Sequence, residues 1–178
     1  PNVVIIAEYK KASNETKAKG ITLFTSSFRR GSPDYLDPKL NCHSKLHEVQ
    51  ALIQAIEAGA DEALMLDVNG FVSTCNATNF FIVKDGEVWT STGAYCMNGI
   101  TRQKVIEICA KNKIPCHQKN FSLYDTYGAD EAFVTGTFGG LTPVTKIDGK
   151  MIENQNDTSL RGNLDRSYEE LIANESKP

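Results

Sequence analysis

The run from Phe80 to Trp89 constrains this chain more than any other stretch. Two apolar, β-prone segments, Phe80 to Val83 and Val88 to Trp89, flank Lys84-Asp85-Gly86-Glu87, a strong hairpin signal. A chain holding such a pair is not a simple alternation of parallel strands and helices. Further short strands surround it: Ala63 to Leu66 and Phe71 to Val72 across Asp67-Val68-Asn69-Gly70, then Ile114 to Cys116, Glu131 to Val134, and Leu141 to Ile147 before an Asp148-Gly149 turn. Helical patterns lie between them. Ser44 to Ala58 sets Leu46, Val49, Ile53 and Ile56 on one face, with Ser44 as a cap and Gly59 just past the end. The stretch after Thr101 turns Val105, Ile108 and Cys109 inward, Ser122 caps Leu123 to Tyr127, and Thr158 to Leu171 aligns Leu160, Leu164, Tyr168 and Leu171. The expected fold class is mixed α/β, rich in strands.

Before residue 40 the pattern is less regular. Val3 to Ala7 is a continuous apolar run of the kind found in buried strands, and Gly20 introduces a second strand, Ile21 to Ser26. Phe28 to Lys39 is dense in Gly, Pro and Asp and reads as a linker. The division is therefore 1–27 as the remnant of a small N-terminal domain, 28–40 as interdomain linker and 41–178 as the large domain. A core-type strand so close to Pro1, with no initiator Met, suggests that an N-terminal part is missing.

Composition excludes some classes of function. A net charge of −3 over 178 residues offers no basic excess for nucleic acid, and no apolar run is long enough to cross a membrane. The five cysteines are odd in number and lack a Cys-x-x-Cys pair, which suits a reducing, cytoplasmic setting.

Two stretches carry the chemistry. Gly99-Ile100-Thr101-Arg102 follows a strand-rich segment and opens a helix. Its first-turn amides point along the positive end of the helix dipole, an arrangement that holds an anion without a cationic side chain. The plain alternative is an ordinary helix cap. Thr135-Gly136-Thr137-Phe138-Gly139-Gly140 leaves a strand with small residues and hydroxyls, fit either for a second phosphate contact or for a flexible turn. His43, His47 and Glu48 have metal-binding spacing but no evident third ligand, so no metal site is expected.

From Val49 to Val144 the chain resembles the large C-terminal domain of the fold-type IV, class IV aminotransferases. That group includes branched-chain and D-amino-acid aminotransferases and aminodeoxychorismate lyase. The matching pieces run from Glu57-Ala58-Gly59-Ala60-Asp61-Glu62-Ala63-Leu64 through Leu66-Asp67-Val68-Asn69-Gly70-Phe71-Val72-Ser73 and Asn79-Phe80-Phe81. They continue through Asn98-Gly99-Ile100-Thr101-Arg102 and Ala129-Asp130-Glu131-Ala132-Phe133-Val134-Thr135-Gly136-Thr137 to Leu141-Thr142-Pro143-Val144. The resemblance implies the D-amino-acid aminotransferase-like fold with a partial N-terminal α+β domain. It also implies a homodimer, a small amino acid or keto acid as substrate, and pyridoxal 5′-phosphate as cofactor. In that case Gly99, Ile100, Thr101, Thr137 and the amide of Phe138 hold the phosphate.

Two positions depart from the family pattern. The family's Schiff-base lysine falls on Asn41, whose amide can neither bond the cofactor covalently nor shuttle a proton. The glutamate expected beneath the pyridine nitrogen falls on Thr74, which offers a hydrogen bond without a charge. Lys39 and Lys45 are the candidate replacements. Lys39 lies two residues from Asn41, about 7 Å away in an extended segment. Two readings stay open: an aminotransferase or related lyase with a displaced lysine, and a non-catalytic relative that keeps the phosphate cradle.

Overall fold

A computed structural model describes residues 3–9, 14–153 and 159–175. Among the described residues nine strands form one sheet in the order β3-β2-β1-β8-β7-β4-β5-β6, with the short β9 pairing with β8. The strands are β1 (Ile21–Thr25), β2 (Glu62–Leu66), β3 (Val72–Cys75), β4 (Asn79–Lys84), β5 (Glu87–Thr90), β6 (Cys116–Gln118), β7 (Glu131–Gly136), β8 (Gly140–Ile147) and β9 (Lys150–Met151). The helices are α1 (Asn14–Lys19), α2 (Leu46–Glu57), α3 (Ile100–Lys111), α4 (Leu123–Tyr127) and α5 (Leu160–Glu175).

The hairpin forms as the sequence dictates. Lys84 pairs with Glu87, and Asp85 and Gly86 both take positive φ, the backbone such a two-residue turn demands. β4 then pairs antiparallel with β7, and β7 with β8. Alternation along β4 sorts side chains between two layers. Phe80 and Ile82 join one core with Val134, Val144 and Phe121, while Phe81 and Val83 join another with α3 and α5. Phe81 stacks on Phe133 with ring centroids 5.0 Å apart. Ser122 caps α4 through a reciprocal pair of bonds with Asp125.

Four expectations are corrected. Val3 to Ala7 is not a buried strand: Val3, Val4, Ile5 and Ile6 are more than four-fifths exposed, and the run pairs with no strand among the described residues. An apolar run becomes a strand only when a partner edge receives it. Ile21–Thr25, assigned from the sequence to the N-terminal remnant, runs in the large sheet itself, parallel to both β2 and β8, with Ile21 and Leu23 in the core. The face of α2 is also reversed. Leu46, Val49, Ile53 and Ile56 point outward, and the helix buries Ala51 and Ala55 against Ala63 and Met65. Small residues let the helix approach the sheet closely, so packing overrides the larger apolar stripe. Lys45, rather than Ser44, is the N-cap of α2, without a side-chain cap bond. Of the last predicted helix, Thr158 lies outside the described residues; α5 begins at Leu160 and extends to Glu175.

Candidate active site

The two candidate anion-binding stretches meet. Gly99, Ile100 and Thr101 from the start of α3 line a cavity of about 160 Å3 together with Thr135, Gly136 and Thr137 from the end of β7. β4 brings them together, because its first residue, Asn79, pairs in register with Thr135 and its side chain reaches the 96–99 loop. Asn79 Nδ2 donates to the Met97 carbonyl at 2.9 Å, and Asn79 Oδ1 accepts the Gly99 amide at 3.3 Å. Gly99 itself has φ −64° and ψ 151°, which any residue adopts. Glycine is needed here because a Cβ would lie 2.6 Å from Asn79 Oδ1.

The donor set is neutral and incompletely used. The amides of Ile100 and Thr101 belong to the first turn of α3, where no intrahelical acceptor exists, and α3 has no side-chain cap. Thr135 Oγ1 is buried in the cavity wall with no hydrogen-bond partner among the described residues. A buried hydroxyl left without a partner is costly unless something else satisfies it. Open backbone amides, an unsatisfied hydroxyl and a glycine in the lining at 136 match what a phosphate monoester asks of a site. Thr101 Oγ1 lies 3.3 Å from the Tyr168 hydroxyl on α5, so its side chain braces α3 against α5.

The opposite wall is loop. Asn41 and Lys45 line the same cavity, as does Thr74 on β3. Lys39 lines neither this cavity nor its neighbour; its amine is 3.9 Å from Asp37 and about half exposed. Phe138 is also absent from the lining and half exposed. The Thr74 hydroxyl donates to the Thr78 carbonyl at 2.7 Å, so only a lone pair remains for a ligand.

In the sequence the Arg29-Arg30 pair reads as a contact for a carboxylate or solvent, and the structure supplies Glu48 as the carboxylate for Arg30. Arg30, 5% exposed, donates from Nη1 to Glu48 Oε1 at 2.7 Å and from Nε to the Tyr95 carbonyl at 3.1 Å. His47 Nδ1 lies 3.0 Å from Glu48 Oε2, without hydrogen-bond geometry. Burial lowers the His47 pKa, with Arg30 adding to the effect and Glu48 opposing it. A second cavity of about 540 Å3 adjoins the first, and Arg30, Pro38, Leu40, Lys45 and Glu48 face both. In the sequence Arg30 lies within the linker-like segment and Glu48 beyond it, on α2.

The amino-transferase class IV family model matches residues 1–147. The chain belongs to the amino-transferase class IV family. It is 38% identical over 176 residues to branched-chain-amino-acid aminotransferase-like protein 2 of Arabidopsis thaliana, covering 99% of this chain and 31% of the plant protein. To the branched-chain-amino-acid aminotransferase of Pseudomonas aeruginosa it is 33% identical over 178 residues, covering 98% of this chain and 58% of that protein. Among solved structures, the branched-chain aminotransferase of the thermophilic archaeon Thermoproteus uzoniensis with norvaline superposes with a TM-score of 0.82 at 28% identity, covering 89% of this chain and 53% of that one. The chain thus spans a third to three-fifths of the length of these class IV relatives. Its fold is the strand-rich mixed α/β fold of the family. Among the described residues no helix is long and apolar enough to cross a membrane.

Proposed function

We propose that the smaller cavity binds pyridoxal 5′-phosphate and that the protein transfers an amino group between small amino and keto acids. One observation carries this reading: the first turn of α3 and the end of β7 converge on one cavity, where Thr135 Oγ1 is left without a partner among the described residues. The amides of Ile100 and Thr101, the Thr135 hydroxyl and the Gly136-Thr137 backbone would hold the phosphate. When bound, the cofactor supplies an electron sink for proton loss at the substrate α-carbon.

Lys45 is the residue proposed to hold the cofactor covalently and to move the proton, since it lines the cavity and Lys39 does not. Thr74, whose hydroxyl proton is already given to the Thr78 carbonyl, would accept from the ring nitrogen only when that nitrogen is protonated, and carries no charge to keep it so. The adjoining 540 Å3 space, which Lys45 also faces, has room for the substrate. The outward apolar stripe of α2, Leu46, Val49, Ile53 and Ile56, is surface of the kind that a homodimer buries.

Asn41 and Thr74 favour a second reading, in which the cradle holds a phosphorylated ligand without transamination. Borohydride reduction of the protein incubated with pyridoxal phosphate, followed by mass mapping of lysines, separates the two. A label at Lys45 is expected. A label at Lys39 would move the role there, and phosphate-competitive binding with no labelled lysine would establish the non-catalytic reading instead.

A further inference from the structure

All five cysteines are free, and two of them meet. α3 ends at Lys111, Lys113 adopts a left-handed φ of 58°, and the Ile114 amide returns to the Cys109 carbonyl at 2.9 Å. This reversal brings β6 back beside the last turns of the helix. Cys116, the first residue of β6, therefore packs against the core that contains Cys109. Arg102 completes the cluster from two turns earlier on α3. Its guanidinium is buried, donating to the Ser91 carbonyl at 2.7 Å and to Gln118 Oε1 at 3.0 Å, while its Nε has no hydrogen-bond partner. Gln118 and Cys116 are alternate residues of β6 and so share a face of the strand.

We propose that Cys109 and Cys116 are an oxidation-sensitive dithiol, which a hydroperoxide converts into a disulfide joining the last turns of α3 to β6. The two sulfurs have unequal roles. The neighbouring Cys109 thiol, and after it the charge of Arg102, lower the Cys116 pKa despite burial. The same thiol contact, with burial, raises that of Cys109. Cys116 is half-buried and Cys109 fully buried, so Cys116 meets the oxidant first.

The Cys116 thiolate attacks one oxygen of hydrogen peroxide. The O–O bond breaks, Cys116 becomes a sulfenic acid, and the departing hydroxide takes a proton to leave as water. Cys109 Sγ then attacks the Cys116 sulfur, the S–O bond breaks, and hydroxide leaves as a second water with the Cys109 proton. The two thiols lose two electrons, and one peroxide is reduced to two waters. The product fixes the C-terminal end of the helix whose first turn faces the cavity.

Trypsin cuts at Lys111 and Lys113, between the two cysteines, which makes the test direct. The full chain is treated with hydrogen peroxide, blocked with iodoacetamide, digested without reductant and weighed. The expected product is a linked Cys109–Cys116 peptide pair, lighter by about two mass units than the two reduced peptides together and separated by dithiothreitol. In Cys109→Ser, dimedone should trap a sulfenic acid at Cys116. Full alkylation of both thiols after peroxide, at the level of an untreated control, overturns the proposal, and so does a dimedone adduct on Cys109. The linked wild-type peptide decides the matter even if Cys109→Ser does not fold.

Discussion

The two walls of the cavity are built in opposite ways. The cradle wall comes from the sheet: Thr135 and Asn79 face each other across β7 and β4, Gly99 hangs from Asn79, and Thr101 is braced by Tyr168. The loop wall, Pro38 to Lys45, belongs to no regular element, and Asn41 and Lys45 are exposed. Beside it, the Arg30–Glu48 pair lines the same cavity and ties the segment after β1 to α2. On the proposed reading, recognition of an anion would depend on backbone that the fold already fixes. The residues that would perform chemistry sit on a segment whose side chains contribute little to the core. Such a division would let position 41 depart from the family pattern while the cradle persists; Thr74, buried on β3, lies outside that loop.

Breaking the pair beside the loop wall should have the largest effect. Arg30→Met keeps bulk but leaves Glu48 without its cationic partner, and a half-removed buried pair costs about 3 kcal/mol. Urea unfolding measures this. A loss no greater than that of Lys39→Ala, whose contact to Asp37 is exposed, would mean that the two segments are held by something else.

On the cradle side, Gly99→Ala should cost about 2 kcal/mol, because the new Cβ would press on Asn79 Oδ1. Displacing Asn79 also releases Met97 and shifts the first turn of α3. Pyridoxal phosphate affinity, followed by absorbance titration, should drop at least about tenfold with it. Unchanged affinity would separate the helix start from the ligand.

The unequal legibility of these walls has a physical basis. Hairpin, strand ends and helix start were readable because each is a local pattern: Asp85-Gly86 for the turn, Gly99 before a helical run, small residues after β7. That the two stretches converge follows from the resemblance, since local sequence does not encode which strands pair. The face of α2 misled because an apolar stripe usually marks the core. Here Ala51 and Ala55 permit the closer approach, and that contact decided the orientation. Val3 to Ile6 misled for a related reason, since β-branched residues declare a preference but cannot supply a partner strand. The Arg30–Glu48 pair spans 18 residues and depends on the loop's path, so no motif announces it.

Thr135→Val sharpens the comparison without disturbing the fold. The change preserves shape and removes a hydroxyl that has no partner among the described residues, so stability should hold or rise slightly. Affinity for pyridoxal phosphate should fall about tenfold, equivalent to about 1.4 kcal/mol, if that hydroxyl is reserved for the phosphate. Calorimetry and binding on one preparation give both numbers. A loss of stability with intact affinity would make Thr135 a structural residue.

The smallest effect should come from beneath the cradle. Glu62 Oε2 accepts from the hydroxyl of Thr78, a residue of the cavity wall, at 2.8 Å. Burial raises its pKa, and the Thr78 bond opposes that rise only in part. The folded chain therefore keeps its proton at a pH where the unfolded chain has released it. Fewer protons on the unfolded state mean that stability falls as pH rises from the ordinary glutamate range through the raised value. Glu62→Gln stays neutral and keeps an oxygen for Thr78, so above that window it should be more stable than the parent by less than about 1 kcal/mol. Below the window both side chains are neutral and the gain should vanish. A gain that is the same at both ends of the pH range would trace to packing. A loss above the window would mean that the carboxylate is wanted there, as a counter-charge that ties the cradle wall to the sheet.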